Sequence, residues 1–308
     1  MKKLFSAFAF VVVAVCATAQ TIDIAKHFKS LKPRSIGPAG MSGRVTSIDA
    51  VWSNPNIIYL GTASGGVWKS ENGGASWAPI FDEQPILNIG ALAIQQSNPS
   101  IVWVGTGEGN PRNSISIGEG IYKTMDAGRT WKRMGLEQTR NIHRVIIDPS
   151  NPNTVYAGAI GNPYGQSKNR GVYKTTDGGE TWTEVGGNLE ENPDGTGSGP
   201  GVYGVEIYPS NPPVYFAGTS AGLFSTSTLS GSTTTWEMEG AETLGNVIIN
   251  QIQARPYDGL IAVATHGNGV WTTHLAPVEG VGIAKEDWNK DWRIYPTVVK
   301  DHLQIEAP

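Results

Sequence analysis

The chain has 308 residues, a formal net charge of −4 and no long run of Lys or Arg, which argues against a nucleic-acid partner. Charged residues are only 16% of it, while Gly reaches 39 and Pro 19; few charges with many turn formers exclude a mostly helical protein and favour an all-β one. Cys16 is the only cysteine, so a disulfide framework or a thiolate metal site is excluded.

In chain order, Met1-Lys2-Lys3, the apolar run Leu4–Cys16 and the small residues Ala17-Thr18-Ala19 predict a signal peptide over residues 1–20, removed after Ala19 or Gln20. That run is short for a membrane span, so the mature chain is expected to have none and to be secreted or held at the cell surface. Residues 28–276 then read as repeats of four strands. The first repeat runs Arg44–Val51, turn Ser53-Asn54-Pro55-Asn56, Ile57–Thr62, Gly66–Ser70 and Trp77–Phe81. The second runs Asn88–Ile94, Ile101–Gly105, Gly120–Thr124 and Trp131–Gly135. The third runs His143–Asp148, Thr154–Ala159, Gly171–Thr175 and Trp182–Val185. The fourth runs Val202–Tyr208, Val214–Gly218, Gly222–Ser227 and Thr235–Glu239. The fifth has Val247–Arg255, Leu260–Ala264 and Gly269–Leu275, one strand short.

The repeat is most legible in the turn before the fourth strand. Lys174–Trp182 reads Lys-Thr-Thr-Asp-Gly-Gly-Glu-Thr-Trp, with Asp177 and the following glycines as turn chemistry and Trp182 as an apolar anchor. Thr124–Trp131 has the same form around Asp126, and Ser70–Trp77 has it with Asn72 in place of Asp; a stretched version ends in Trp236. The tryptophans step by 131 − 77 = 54, 182 − 131 = 51 and 236 − 182 = 54 residues. Four antiparallel strands at that period predict blades of a β-propeller. Five blades are expected, the last completed by a strand at Lys29–Ile36 that closes the ring and removes a sheet edge; an open arc or part of a larger ring is the alternative.

The Ser/Thr-x-Asp-x-Gly-x-Thr-Trp pattern resembles the Asp-box, or bacterial neuraminidase, repeat of sialidases, xyloglucan-degrading endoglucanases, photosystem assembly propellers and sortilin-type receptors. Ser35-Ile36-Gly37-Pro38 with Gly43-Arg44-Val45, and Gly105–Ser114, resemble more narrowly the secreted bacterial proteins labelled glycosyl hydrolase BNR repeat or sortilin N-terminal-like. Residues 277–291 read as a linker. The segment 292–308, with Tyr295-Pro296 and an alternating strand behind it, resembles the opening of a type IX secretion C-terminal sorting domain, here truncated.

This plan puts the Ser-Asn-Pro and Asp-box turns on one face and the second-to-third loops and blade connections on the other. The long insertions Thr106–Glu119, Ala159–Arg170 and Asn188–Gly201 all fall on the second face, where ligand residues are expected. A glycosidase needs two carboxyl groups about 5–9 Å apart, and Glu108 with Glu119 is the pair to test, Asp82 being third and Glu83 beside it. Asn110, Arg112, Asn113, His143, Arg144, Tyr164, Arg170, His266 and Asn268 are the expected ligand-binding residues. Asn72, Trp77, Asp126, Trp131, Asp177 and Trp182 are assigned to structure; no metal or cofactor is expected. The resemblance also implies departures. Ser35-Ile36-Gly37-Pro38 is not the sialidase start motif, and Ala63 stands where the xyloglucanase-type enzymes carry a catalytic Asp. The leading expectation is therefore a monomeric propeller recognising a glycan, peptide or extracellular protein without catalysis. The alternatives are a glycoside hydrolase and a fragment of a longer multi-propeller protein.

Overall fold

The computed structural model describes residues 44–110, 115–190, 192 and 197–279, and the strands Arg293–Tyr295 and Gln304–Glu306. All of them belong to one unit, Met41–Pro308. The expected signal peptide, the closing strand Lys29–Ile36, and Arg112 and Asn113 lie outside the described residues, as does most of the linker.

The unit is all-β. Four sheets have four antiparallel strands in chain order: β1–β4 (Val45–Ala50, Ile58–Thr62, Val67–Ser70, Ala78–Pro79), β5–β8 (Ile89–Ile94, Val102–Thr106, Ile121–Thr124, Lys132–Arg133), β9–β12 (Ile142–Ile147, Val155–Ala159, Gly171–Thr175, Thr183–Glu184) and β13–β16 (Val202–Tyr208, Val214–Thr219, Gly222–Thr226, Glu237–Glu239). A fifth sheet has three, β17–β19 (Ile249–Arg255, Leu260–Thr265, Val270–His274), and β20–β21 (Arg293–Tyr295, Gln304–Glu306) form a separate hairpin. Inner strands β1, β5, β9, β13 and β17 neighbour one another in that order, the propeller-like arrangement the repeats predict. The fourth strands are shorter than expected, beginning one residue or more after the tryptophan rather than at it.

The tryptophans explain that shift, because they serve the seam between blades. Trp131 Nε1 donates to the carbonyl of Ile80 at 2.7 Å, Trp182 Nε1 to Met134 at 2.7 Å and Trp236 Nε1 to Val185 at 3.0 Å. Each indole thus reaches back to the residue just after the last strand of the preceding blade and satisfies its carbonyl, with Trp236 fully buried and Trp131 and Trp182 half-buried. A second device recurs across the seams. Gly61, Gly105, Gly158 and Gly218 sit in the second strand of successive blades, directly against Ile89, Ile142, Val202 and Ile249 of the next inner strand. A side chain there would occupy the space those branched residues fill. Four apolar clusters fill the four seams between the five sheets. At the two ends, Val45 and Ile48 of β1 (55% and 66% exposed) and Val270 of β19 (70%) are uncovered.

Every inner strand also carries a β-bulge at its start, displacing Thr46, Gly90, His143, Tyr203 and Asn250 from the ladder. Bulges re-aim one side chain and increase local twist. These five positions therefore share one level along the row of inner strands, and the rings of His143 and Tyr203 meet edge to face there, 5.7 Å apart.

The Asp-box turns are closed networks. Asp177 Oδ1 accepts from Thr175 Oγ1 at 2.7 Å and Thr181 N at 3.0 Å, and Oδ2 from Thr181 Oγ1 at 2.6 Å. Asp126 repeats this with Thr124 and Thr130; Asn72 Oδ1 accepts from Ser70 Oγ and Ser76 N, while its Nδ2 donates to Ser76 Oγ. The Thr130 hydroxyl, first, and its backbone N–H hold the Asp126 carboxyl down at about 2; the Thr181 hydroxyl depresses Asp177 likewise. Folding thus favours the ionised form, so this stability is present above the ordinary carboxyl value and is lost as pH falls through about 2. Asp126→Ala should lower Tm at neutral pH by roughly 2–4 °C and flatten the Tm profile between about pH 4 and 2, read by calorimetry.

Candidate functional site

The two-face sorting of loops holds. On one face the box turns bond the Asn-Pro turns of the same blade: Gly73 N to Asn56 O, Ala127 N to Ser100 O and Gly178 N to Asn153 O. On the other, second-to-third loops bond blade connections: Gly66 N to Leu87 O, Gly107 N to Asn88 O and Ile160 N to Asn141 O. A threonine ending the second strand caps these loops whatever their length. Thr62, Thr106, Thr219 and Thr265 each donate Oγ1 to a glycine carbonyl across the loop and accept a backbone N–H from within it. Blade three has Ala159 at this position, and Arg170 supplies the missing cap. Its guanidinium donates to the carbonyls of Ile160, Asn162, Gly165 and Gly199 and to Ser198 Oγ. Arg170 is therefore committed to holding loops rather than open to a ligand.

The proposed carboxylate pair is divided between two arginines. Glu108 is 1% exposed and ion-paired with Arg44, and its carbonyl accepts from Asn141 Nδ2. Glu119 pairs with Arg133 at 3.0 Å. Asp82 and Glu83 are exposed in the connection from β4 to β5, and Asp82 Oδ1 lies beside Gly66 of the Thr62–Gly66 loop. Among the described residues no ion pair engages Asp82.

His143 and Arg144 do lie on an inner strand, both half-buried, and His143 Nδ1 has no hydrogen-bond partner among the described residues. His143 packs beneath Gly109, and burial, reinforced by Arg144, lowers its pKa to about 4, so the imidazole is neutral at physiological pH. Arg144 crosses the seam to Glu206, Nη2 to Oε2 at 3.1 Å; burial pushes Glu206 up to about 7 against the pull of that guanidinium. The stretch from Thr265 to Gly269 is turn chemistry: Asn268 N donates to Thr265 Oγ1, Asn268 O accepts from Trp271 Nε1, and His266 and the Asn268 side chain face solvent. Asn110 is exposed at the end of a described stretch. Among the described residues no three His, Cys, Asp or Glu side chains are placed to hold a metal.

The site that sequence reasoning missed lies between blades two and three on the long-loop face. A cleft of about 330 Å³ is lined by Gln138, Arg140, Asn162, Gln166, Lys168 and Asn169, with Glu137 and Ser167 completing it. Amides and cations in a shallow concavity match the hydroxyl pattern of a sugar better than an apolar ligand. Tyr164, 61% exposed, stands in the same loop. Arg140 is held at φ 62, ψ −62, with Asn141 N bonded to Thr139 O at 2.7 Å: a γ-turn of the rarer, strained hand. The Arg140 carbonyl is fixed by Gly118 N at 2.6 Å, so the strain is imposed from blade two. No motif announces this residue. Only its position between two long insertions could have pointed to it. A larger concavity, about 420 Å³, belongs to the stretched blade-four hairpin, Ser225 to Glu237, on the opposite face.

With this geometry in place, known proteins bear on it as follows. Residues 65–193 match the sequence model of the Sortilin-Vps10 family (sortilin, neurotensin receptor 3). A probable oligoxyloglucan-reducing end-specific xyloglucanase of Neosartorya fischeri is 24% identical over 227 residues, 69% of this chain and 26% of that protein. Among solved structures, the GH74 xyloglucanase of Xanthomonas campestris superposes with a TM-score of 0.57 at 17% identity, over 77% of this chain and 38% of that one. The GH74 enzyme of Niastella koreensis gives 0.54 at 20% identity, over 74% and 36%. The chain thus spans about a quarter of the length of the fungal relative, and the structural likeness is one of fold. Among the described residues no helix is long and apolar enough to cross a membrane.

Proposed function

We propose that this chain is a glycan-engaging propeller of the glycoside hydrolase type, secreted or at the cell surface, taking a xyloglucan-class polysaccharide across the face of blades two and three. The observation that carries this is the polar cleft between the Glu137–Arg140 connection and the Ala159–Arg170 loop, with the strained Arg140 in its lining and the exposed Tyr164 in the same loop. Exposed aromatic rings and fixed hydrogen-bond donors are what a sugar ring offers contacts for. The substrate class rests on the xyloglucanases that the chain resembles in sequence. Of the candidate carboxylates, Asp82 is the one to test first, because it is exposed and without an arginine partner among the described residues; the second carboxyl that hydrolysis requires is not assigned.

A second reading, glycan recognition without cleavage, is favoured by one observation: Glu108 and Glu119 are each paired with an arginine. One experiment separates the two. The full chain is run through native gels containing xyloglucan or other polysaccharides, and reducing ends are assayed in parallel. Retardation with reducing ends that vanish in Asp82→Asn supports hydrolysis; retardation alone supports recognition. Migration unchanged by every polysaccharide overturns both. Arg140→Ala and Tyr164→Ala should each weaken binding roughly tenfold, the effect of losing one well-placed contact, with Tm unchanged within about 2 °C.

A further inference from the structure

A buried carboxyl pair outside the cleft has no role in the reading above. Glu184 lies in β12, opposite Tyr173 of β11, and Glu190 ends the short turn that follows. Glu190 is buried, and the Oε1 atoms of both residues are buried with no N–H or O–H donor in reach among the described residues. Both converge on one point. A Cβ placed on Gly171 would lie 3.2 Å from Glu190 Oε1 and 3.3 Å from Glu184 Oε1; one on Gly186 would lie 2.8 Å from Glu190 Oε1. The two glycines leave the room the carboxyls occupy, and the carboxyls are close enough to bond each other.

Two carboxylate oxygens cannot meet in a buried site with both groups charged; like charges at that range leave one of them protonated. We propose that Glu184 and Glu190 share a single proton, and that this proton fastens the Gly186–Glu190 turn across the seam between blades three and four, so that losing it loosens the seam.

The turn is placed to transmit that loss. Asn188 Nδ2 donates to Trp236 O at 3.0 Å, Asn188 Oδ1 accepts from Trp236 N at 2.6 Å, and Asn188 N donates to Thr234 O. Leu189 packs in the seam cluster with Val202, Val205 and Trp236. Glu190 Oε2 accepts from Gly199 N at 3.2 Å, tying in the loop that leads to β13. The charged and titratable groups facing the pair are few. Arg170, at the head of β11, draws Glu190 down, and Tyr173 has its own hydroxyl pushed up by burial and by both glutamates. The blade-four residues that bond Asn188, Thr234 and Trp236, do not titrate. Burial, then the neighbouring Glu184, raises Glu190 to about 7, and burial raises Glu184. Because the folded value exceeds the ordinary 4.5, the stabilisation is complete below about 4.5 and declines as pH rises through about 7.

The test is amide hydrogen exchange on the full chain at about pH 5.5 and about pH 8.5, corrected for intrinsic rates, with infrared spectra of the same samples. Protection at Asn188, Glu190 and Gly199 should fall roughly tenfold over that interval in the wild type, while strands β5–β7 hold. Glu190→Gln supplies an N–H donor to Glu184 in place of the proton, so it should keep protection at both values and lose one protonated-carboxyl band; Glu206 leaves its own band in both proteins. Glu184→Gln should behave the same way. Flat protection in the wild type, or an undiminished pH response in both Gln variants, overturns the proposal. So does protection that persists at about pH 8.5 and disappears with EDTA, since the oxygens would then hold a cation.

Discussion

Gly90→Ala should destabilise the protein by about 3 kcal/mol, near the upper end of what overpacking costs, and lower Tm by roughly 6–12 °C. Gly90 is the bulged residue of β5, and a Cβ on it would fall within contact distance of two backbone carbonyl oxygens, those of Gly107 and Ile142. Neither can move alone. Gly107 N is bonded to Asn88 O, and Ile142 opens β9 with its side chain against Gly105. A side chain can rotate out of a clash; two carbonyls built into neighbouring blades cannot. Gly204→Ala is the control. It also sits in an inner strand, but its nearest neighbour would be Ile252 Cδ1 at an ordinary 3.5 Å, so its cost should stay below about 1 kcal/mol. Paired urea titrations check both. If the two alanines cost the same, inner-strand glycine is being read as general backbone entropy and not as a close approach of blades.

Gly90 also shows where sequence stopped being legible. The blades, their strand order and the two loop faces could be read because turn chemistry and tryptophans recur at a nearly fixed step. The bulge positions recur as faithfully in space, yet they are Thr46, Gly90, His143, Tyr203 and Asn250, five residue types with no shared pattern. What is common to them is backbone geometry, and geometry of that kind leaves no trace in composition. The same holds for chemistry. Glu108, Glu119, His143 and Arg170 were reasonable as candidates because loop acids, histidines and arginines bind ligands. What engages them is far away in sequence: Arg44 for Glu108, Gly109 and Tyr203 for His143, Ser198 and Gly199 for Arg170. Arg140 was invisible for the opposite reason. Its strain is imposed by Gly118, on a loop whose path the sequence does not specify. The tryptophans are legible as anchors of their turns, but what they anchor is not. They anchor the preceding blade, a relation spanning about fifty residues that no local pattern encodes.

That relation yields the largest expected effect in the molecule. Trp236→Ala should cost about 3–5 kcal/mol. The ring is 3% exposed and packs among Val185, Leu189, Val202 and Val205, so its removal opens a cavity in the middle of a seam. The same change removes the indole bond to Val185 O. Trp236→Phe separates the two contributions: it keeps most of the apolar volume and deletes only the donor, and should cost about 1–2 kcal/mol. The backbone bonds between Trp236 and Asn188 survive in both variants, since they use the peptide N–H and carbonyl. Seam loosening should therefore appear first as faster hydrogen exchange in β16 and β12, before any change in β5–β7, which lie two seams away. Equal losses in Trp236→Ala and Trp236→Phe would mean that the hydrogen bond, and not the buried ring, holds blades three and four together. A uniform rise in exchange across all five sheets would mean that the seam has no local stability of its own.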